Sequence, residues 1–177
     1  MIELNLIDLD KTLIPFDSFR LLIKKQLSRG DCYTFFLVVI RASRLISSAR
    51  FKQWFIQNLK KQSMFDTRME EFTDVIIKSI RSEILKMIEK HSGRETINVI
   101  FSASPHEYVE KIARRLGFTG FGSALLNGKY IELKGDQKII KLRALFPETK
   151  YHYLFAISDN RAERTLLGFF ENHLLLE

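Results

Sequence analysis

Ile2-Glu3-Leu4-Asn5-Leu6-Ile7-Asp8-Leu9-Asp10-Lys11-Thr12-Leu13 is the stretch that decides the fold class of this chain. Its near-alternating aliphatics predict a β-strand, and two acids two residues apart stand where that pattern stops. Far downstream, the apolar run Tyr151 to Ile157 ends in Ser158-Asp159-Asn160. In a parallel α/β sheet the carboxyl ends of neighbouring strands open onto one crevice. Asp8, Asp10 and Asp159 gathered there would repel one another unless a cation sat among them, and oxygen donors of this kind suit Mg2+. Metal-assisted chemistry on a phosphate is the expectation to test.

At 177 residues and 46% apolar content, with three Pro and eight Gly, the chain has the make-up of one globular domain carrying a helical insertion. The single cysteine, Cys32, excludes an internal disulfide and fits a reducing compartment. Glu3, Asp8 and Asp10 lie where a secretory leader would carry basic residues and an apolar block. The apolar stretch Phe35 to Ile40 stops at Arg41, far short of the roughly 20 residues that span a bilayer. A cytoplasmic, soluble protein is expected. The net charge of +7 is concentrated, since residues 11–65 hold eleven Lys or Arg and only Asp17 and Asp31 as acids.

Strand patterns are read at Ile2 to Leu9, Thr96 to Ser102, Tyr151 to Ile157 and His173 to Leu176, with a hairpin over Ser123 to Glu132 turning at Asn127-Gly128. Between the first two strands the pattern is helical: Ser18 to Ser28, Tyr33 to Ser47, Arg50 to Lys61, and one long helix from Asp66 to His91. Further helices are expected over Pro105 to Leu116, Asp136 to Phe146 and from Asn160. The layout is an α/β, Rossmann-like parallel-sheet core, residues 1–15 plus 93–177, interrupted after its first strand by an all-helical cap, residues 16–92. Because that insertion leaves and re-enters beside Asp8 and Asp10, it can cover them.

The residue types suit phosphoryl transfer. A carboxylate can attack phosphorus and split one hard transfer into two easier ones. A second acid two residues on can protonate the leaving oxygen and later deprotonate water. Ser102, at the end of the second strand, can donate to a phosphate oxygen. The following Ser104-Pro105-His106-Glu107 reads as an N-cap, first-turn Pro and capping box, which assigns Ser104 to structure. Lys138 lies near a helix start, where the dipole disfavours a cation unless an anion compensates; Lys141 is its local competitor, and Asp136 is the expected cap. Glu163 lies one helical turn beyond Asp159.

The ordered set Asp8-x-Asp10-x-Thr12, Ser102, Lys138 and Asp159-x-x-x-Glu163 resembles the four motifs of the haloacid dehalogenase superfamily, and most closely its phosphoserine-phosphatase-like branch with a helical cap after the first motif. The resemblance implies a Mg2+-dependent phosphatase with Asp8 as nucleophile and Asp10 as general acid/base. It implies that Thr12 fixes the loop, Ser102 binds the transferring phosphoryl group and Lys138 balances its charge. Mg2+ would be held by Asp8, the backbone carbonyl of Asp10, and Asp159. Two positions depart from the family pattern: Ser158 stands where Gly is frequent, and Glu163 where Asp is usual, leaving Glu163 as a neighbour of the metal.

The cap would choose the substrate. Its basic residues, Arg41, Arg44 and Lys52 among them, are interleaved with Phe35, Phe36, Phe51, Trp54 and Phe55. They fit a small phosphorylated metabolite or a lipid-linked phosphate, with peripheral membrane contact through the basic cap, or simply amphipathic helices with solvated charges. No nucleic-acid recognition motif accompanies the charge. Asp17 and Arg20, at the cap entrance, are the candidate specificity residues. The alternative reading is a basic membrane- or nucleic-acid-associating module on a degenerate core with little activity. A phospho-accepting receiver-like regulator fares worse, because it lacks a long insertion after the first strand.

Overall fold

The computed structural model describes residues 1–176; Glu177 lies outside the described residues. β1 (Ile2–Ile7) runs parallel to β2 (Thr96–Pro105) on one side and to β5 (Tyr151–Ser158) on the other. β3 (Thr119–Leu126) continues in parallel beside β2, and β6 (Asn172–Leu175) beside β5. The short β4 (Lys129–Ile131) is the antiparallel arm of a hairpin with β3, so the order is β4-β3-β2-β1-β5-β6. This is the α/β, Rossmann-like sheet expected. Register places Ile7 opposite Ile100 on β2 and Ile157 on β5, so the residues that follow these three positions share one edge of the sheet.

The sheet's faces follow the two-residue period of a strand. Leu4 and Leu6 pack with Val99, Phe101, Leu142 and Phe170, whereas Ile7 joins Ile100, Ile157, Val109 and Ile112 in the other cluster. Asn5 is the buried polar residue of β1. Its buried amide donates to Asn98 Oδ1 at 2.9 Å and to the His91 carbonyl at 3.2 Å.

Five helices connect β1 to β2: α1 (Ser18–Ser28), α2 (Cys32–Ala42), α3 (Ser48–Lys60), α4 (Phe65–Ile77) and α5 (Ser82–Lys90). The first three are stopped at their N-termini by Asp17, Asp31 and Ser47, whose side chains accept from the amides of Arg20, Thr34 and Arg50. The single helix expected over Asp66 to His91 is two helices. Apolar periodicity carries across the break, so spacing alone conceals it. There the Arg81 amide donates to the Leu13 carbonyl at 2.9 Å, and its guanidinium to the Lys11 carbonyl at 3.2 Å. The chain leaves the helical path to hold the loop that follows β1.

α4 packs on α6 (His106–Arg115), with Phe72 edge-on to Tyr108 at 5.1 Å and Glu70 paired to Lys111 at 2.6 Å and Arg115 at 2.8 Å. α3 reaches the β3–β4 hairpin through Gln53 and, beyond β4, pairs Lys52 with Glu132 at 2.8 Å.

Three helix starts differ from expectation. β2 runs on through Ser104 to Pro105, which pairs with Ser123, so Ser104 caps nothing and α6 opens at His106 without a side-chain cap. Glu107 instead pairs with Lys60 at 2.7 Å. In α7 (Asp136–Leu145) the cap position is Gly135, at φ 52°, rather than Asp136. After β5, Asn160 accepts from the Ala162 amide to start a 3-10 turn, Arg161–Glu163, ahead of the short α8 (Arg164–Leu167).

β3 passes very close to the start of α6. A β-carbon on Gly122 would fall 2.5 Å from the Ser104 carbonyl and 2.6 Å from the His106 nitrogen. Both neighbours are backbone and cannot swing aside. Gly122→Ala is expected to cost about 1–3 kcal/mol, read as a fall of several degrees in the thermal midpoint by circular dichroism.

Candidate active site

Beyond β1 the chain folds back on itself. Leu13 and Ile14 donate their amides to the carbonyls of Asp8 and Leu9, and Lys11 donates to Phe16 at 3.2 Å. Lys11 takes φ 59°, a left-handed conformation that costs a side-chain-bearing residue about 1 kcal/mol. The tight turn leaves Lys11 exposed while Asp8 is 7% exposed and Thr12 fully buried.

Lys138, in the first turn of α7, is 1% exposed. Its ammonium donates to Asp8 Oδ1 at 2.7 Å and meets Glu163 Oε1 at 2.6 Å. Burial alone would drive the proton off Lys138, but the two carboxylates outweigh it and hold its pKa above that of an ordinary lysine. Burial is also the largest influence on Asp8 and pushes its carboxyl upward; Lys138 pulls the other way, and the charges of Glu163 and Asp10 add to the rise. Lys141, the local competitor, instead lies 4.9 Å from the Phe121 ring centroid.

Asp10 is gripped on both oxygens. Oδ1 accepts from the Ser18 amide at 2.6 Å, and Oδ2 accepts from the hydroxyls of Ser104 and, at 3.4 Å, Ser102. Burial raises its pKa, with the hydrogen bonds from Ser104 and Ser18 opposing. The Ser102 hydroxyl also accepts from the Ser104 amide at 3.1 Å, which fixes its direction. A second layer lies behind this. The Ser18 hydroxyl stands 3.1 Å from that of Ser104 and 2.9 Å from that of Tyr108. Ser18, Ser104 and Tyr108 were not among the residues expected here. One signal was present: in an extended strand, residue 104 points the same way as residue 102.

Thr12 ties two strand ends together. Its hydroxyl accepts the Asp159 amide at 2.9 Å and lies 3.4 Å from both Asp8 Oδ2 and Asp159 Oδ1. Glu163, 3% exposed, accepts from Ser158 Oγ at 3.0 Å on the oxygen turned away from Lys138. Asp8, Asp10, Ser102, Asp159 and Glu163 all line one cavity of about 930 Å³. Asp17 and Arg20 line it too, paired with each other at 3.4 Å. Every candidate residue except the buried Thr12 and Lys138 therefore reaches this cavity, and those two hold the residues that do.

The acid cluster around Asp8 has the chemistry to take a cation. Four carboxylates meet here, and among the described residues the one buried cation among them is Lys138. Among the described residues no three acidic, His or Cys side chains form a ready-made cage. A hard cation that keeps several waters does not need one, since two carboxylates and a backbone carbonyl suffice.

The sequence profile of the haloacid dehalogenase-like hydrolases matches residues 6–162, from within β1 to the turn that carries Glu163. The chain belongs to this family. Chains of similar fold are found among solved structures. A protein of unknown function from Bordetella pertussis Tohama I superposes with a TM-score of 0.73 at 18% identity, over 99% of this chain and 90% of that one. A phosphoserine phosphatase, solved as an analogue of its phospho-aspartyl intermediate, gives 0.58 at 16% identity, over 97% of this chain and 85% of that one. A family hydrolase from Salmonella enterica serovar Typhi gives 0.56 at 10% identity, over 95% of this chain and 60% of that one. At these identities the likeness is one of fold. No curated protein matches the chain by sequence.

Removing the buried cation strands two acids. Lys138→Met is expected to destabilise the fold by about 3–5 kcal/mol, and adding Glu163→Gln should recover part of that loss. Urea unfolding of the single and double variants measures both; simple additivity would contradict a direct pair.

Proposed function

We propose that this haloacid dehalogenase-like hydrolase is a phosphatase that cleaves phosphomonoesters through an aspartyl-phosphate on Asp8. The observation that carries the reading is the contact of buried Lys138 with Asp8 beside a cavity into which Asp10 and Ser102 also open. Asp8 attacks phosphorus through an oxygen, and the bond to the leaving oxygen breaks as Asp10 delivers a proton to it. Asp10 then takes a proton from water, which attacks the acyl phosphate and frees Asp8. The serine hydroxyls and the Ser18 amide hold Asp10 in a single orientation for both steps, which is where positioning earns rate.

Ser102 Oγ is placed to donate to a phosphoryl oxygen in exchange for its long contact with Asp10. Lys138 keeps Asp8 oriented and offsets charge as the phosphoryl group arrives. Mg2+ would be held by Asp8, the Asp10 carbonyl and Asp159, and there would supply neutralisation of the phosphoryl oxygens. We also propose the division into a core, residues 1–15 plus 93–177, and a helical cap, residues 16–92. Asp17, Arg20, Phe19 and Lys52 from the cap share the cavity with the acids, which supports that role. Small phosphorylated compounds fit a cavity of this size and charge.

Hydrolysis of p-nitrophenyl phosphate tests the chemistry. Turnover is expected with Mg2+, is lost with EDTA and returns on adding Mg2+ back. Asp8→Asn should lower kcat at least about a thousandfold without changing the thermal midpoint by more than a few degrees. Metal-independent turnover, or full activity in Asp8→Asn, would refute the mechanism, and absence of turnover with every metal tried would favour a binding module on a degenerate core.

A further inference from the structure

α2 is unusual for a surface helix. From Cys32 to Ile40 it carries no charged residue, yet it buries only Thr34 and Leu37. Phe35, Phe36 and Val39 are 62%, 56% and 46% exposed, and Leu45, just past the helix, is 75% exposed. At 3.6 residues per turn the exposed three fall on the side opposite Thr34 and Leu37. Soluble monomers rarely leave such a contiguous patch open to water.

The border of this patch is basic and continuous with the catalytic cavity. Arg41 and Arg44 line that cavity together with Val38 and Ala42. Neither arginine joins any ion pair among the described residues. Arg44 sits at φ 59°, a left-handed helix end that glycine usually occupies. That conformation closes α2 through the Leu45 amide on the Ile40 carbonyl and sets Leu45 beside the arginines.

We propose that the outward face of α2, with Leu45 and its arginine border, docks the protein on an anionic lipid bilayer and brings the cavity mouth to phosphates displayed there. An apolar helical face with a cationic margin is the form of an interfacial element. Lys and Arg near an anionic leaflet are drawn to it; of the eleven in residues 11–65, Arg20, Arg29, Lys52 and Lys60 are held in ion pairs, while Arg41 and Arg44 are not. A second copy of the chain is the weaker occupant, because a twofold contact through α2 would bring two basic borders together. Among the described residues no helix is long and apolar enough to cross a membrane, so the contact is peripheral.

The docking claim rests on the phosphatase reading only for what enters the cavity, and it is tested without turnover. The full chain is sedimented with vesicles of phosphatidylcholine alone or mixed with phosphatidylglycerol, at low and high salt. Phe35→Ser/Phe36→Ser and, separately, Val39→Ser serve as variants; none of these residues lines the cavity. Binding to the mixed vesicles is expected, weakened by salt and reduced about tenfold or more in the double variant, with p-nitrophenyl phosphate turnover unchanged. Equal recovery with both vesicle types, or undiminished binding of both variants, overturns the proposal. Self-association that the variants abolish, with no vesicle binding, also overturns it and assigns the face to a second copy. Vesicle binding by a chain without phosphatase activity would refute the function proposed above and leave docking intact.

Discussion

A single ammonium group organises this molecule. Lys138 sits in the interior between Asp8, which follows β1, and Glu163, in the turn after β5. A buried cation is tolerated only when paired and hydrogen-bonded, and at the start of α7 the helix dipole opposes it as well. α7 can dock in this orientation because two acids await its first turn. Three elements distant in sequence are thereby fixed at one atom. The same arrangement leaves Asp10 and Asp159 without a buried cation of their own among the described residues, in a cavity that Arg20, Arg41, Arg44 and Lys52 also line.

The two departures from the usual family pattern answer one another. Glu163 is a methylene longer than aspartate, and a longer acid reaching into the interior needs its second oxygen held. Ser158 does this, donating to Oε2 while Oε1 meets Lys138, and its own oxygen accepts the Asn160 amide. A glycine at 158 would leave that carboxylate oxygen without a donor. The pair thus keeps the length of the side chain compatible with the lysine, and ties Glu163 to Lys138 rather than to the crevice between Asp8 and Asp159.

Much of the sheet and its edge was legible because strands announce themselves by local alternation and their ends by a change to polar residues. Asp8, Asp10 and Asp159 stand at such ends, Ser102 lies two residues past the last pairing of β2 with β1, and the parallel topology brings them together. What escaped depends on distant partners. Ser104 carries a strong local helix-cap signature, yet pairing of Pro105 with Ser123 extends the strand and turns its hydroxyl to Asp10. Ser18 reads as a helix start and Tyr108 lies inside an expected helix; their hydroxyl contact joins segments ninety residues apart. The break between α4 and α5 contains no Gly or Pro, and its cause lies in the carbonyls of Lys11 and Leu13.

Those two carbonyls make the far end of the insertion a structural partner of the first loop. Arg81 clamps the backbone at the strained Lys11 position and beside Leu13, within a few residues of Asp8 and Asp10. The helices between are therefore not a detachable module. Exchanging them for another set, whether by evolution or by grafting, preserves the acidic loop only if the graft ends upstream of this arginine, so the interchangeable part of the roof stops short of α5.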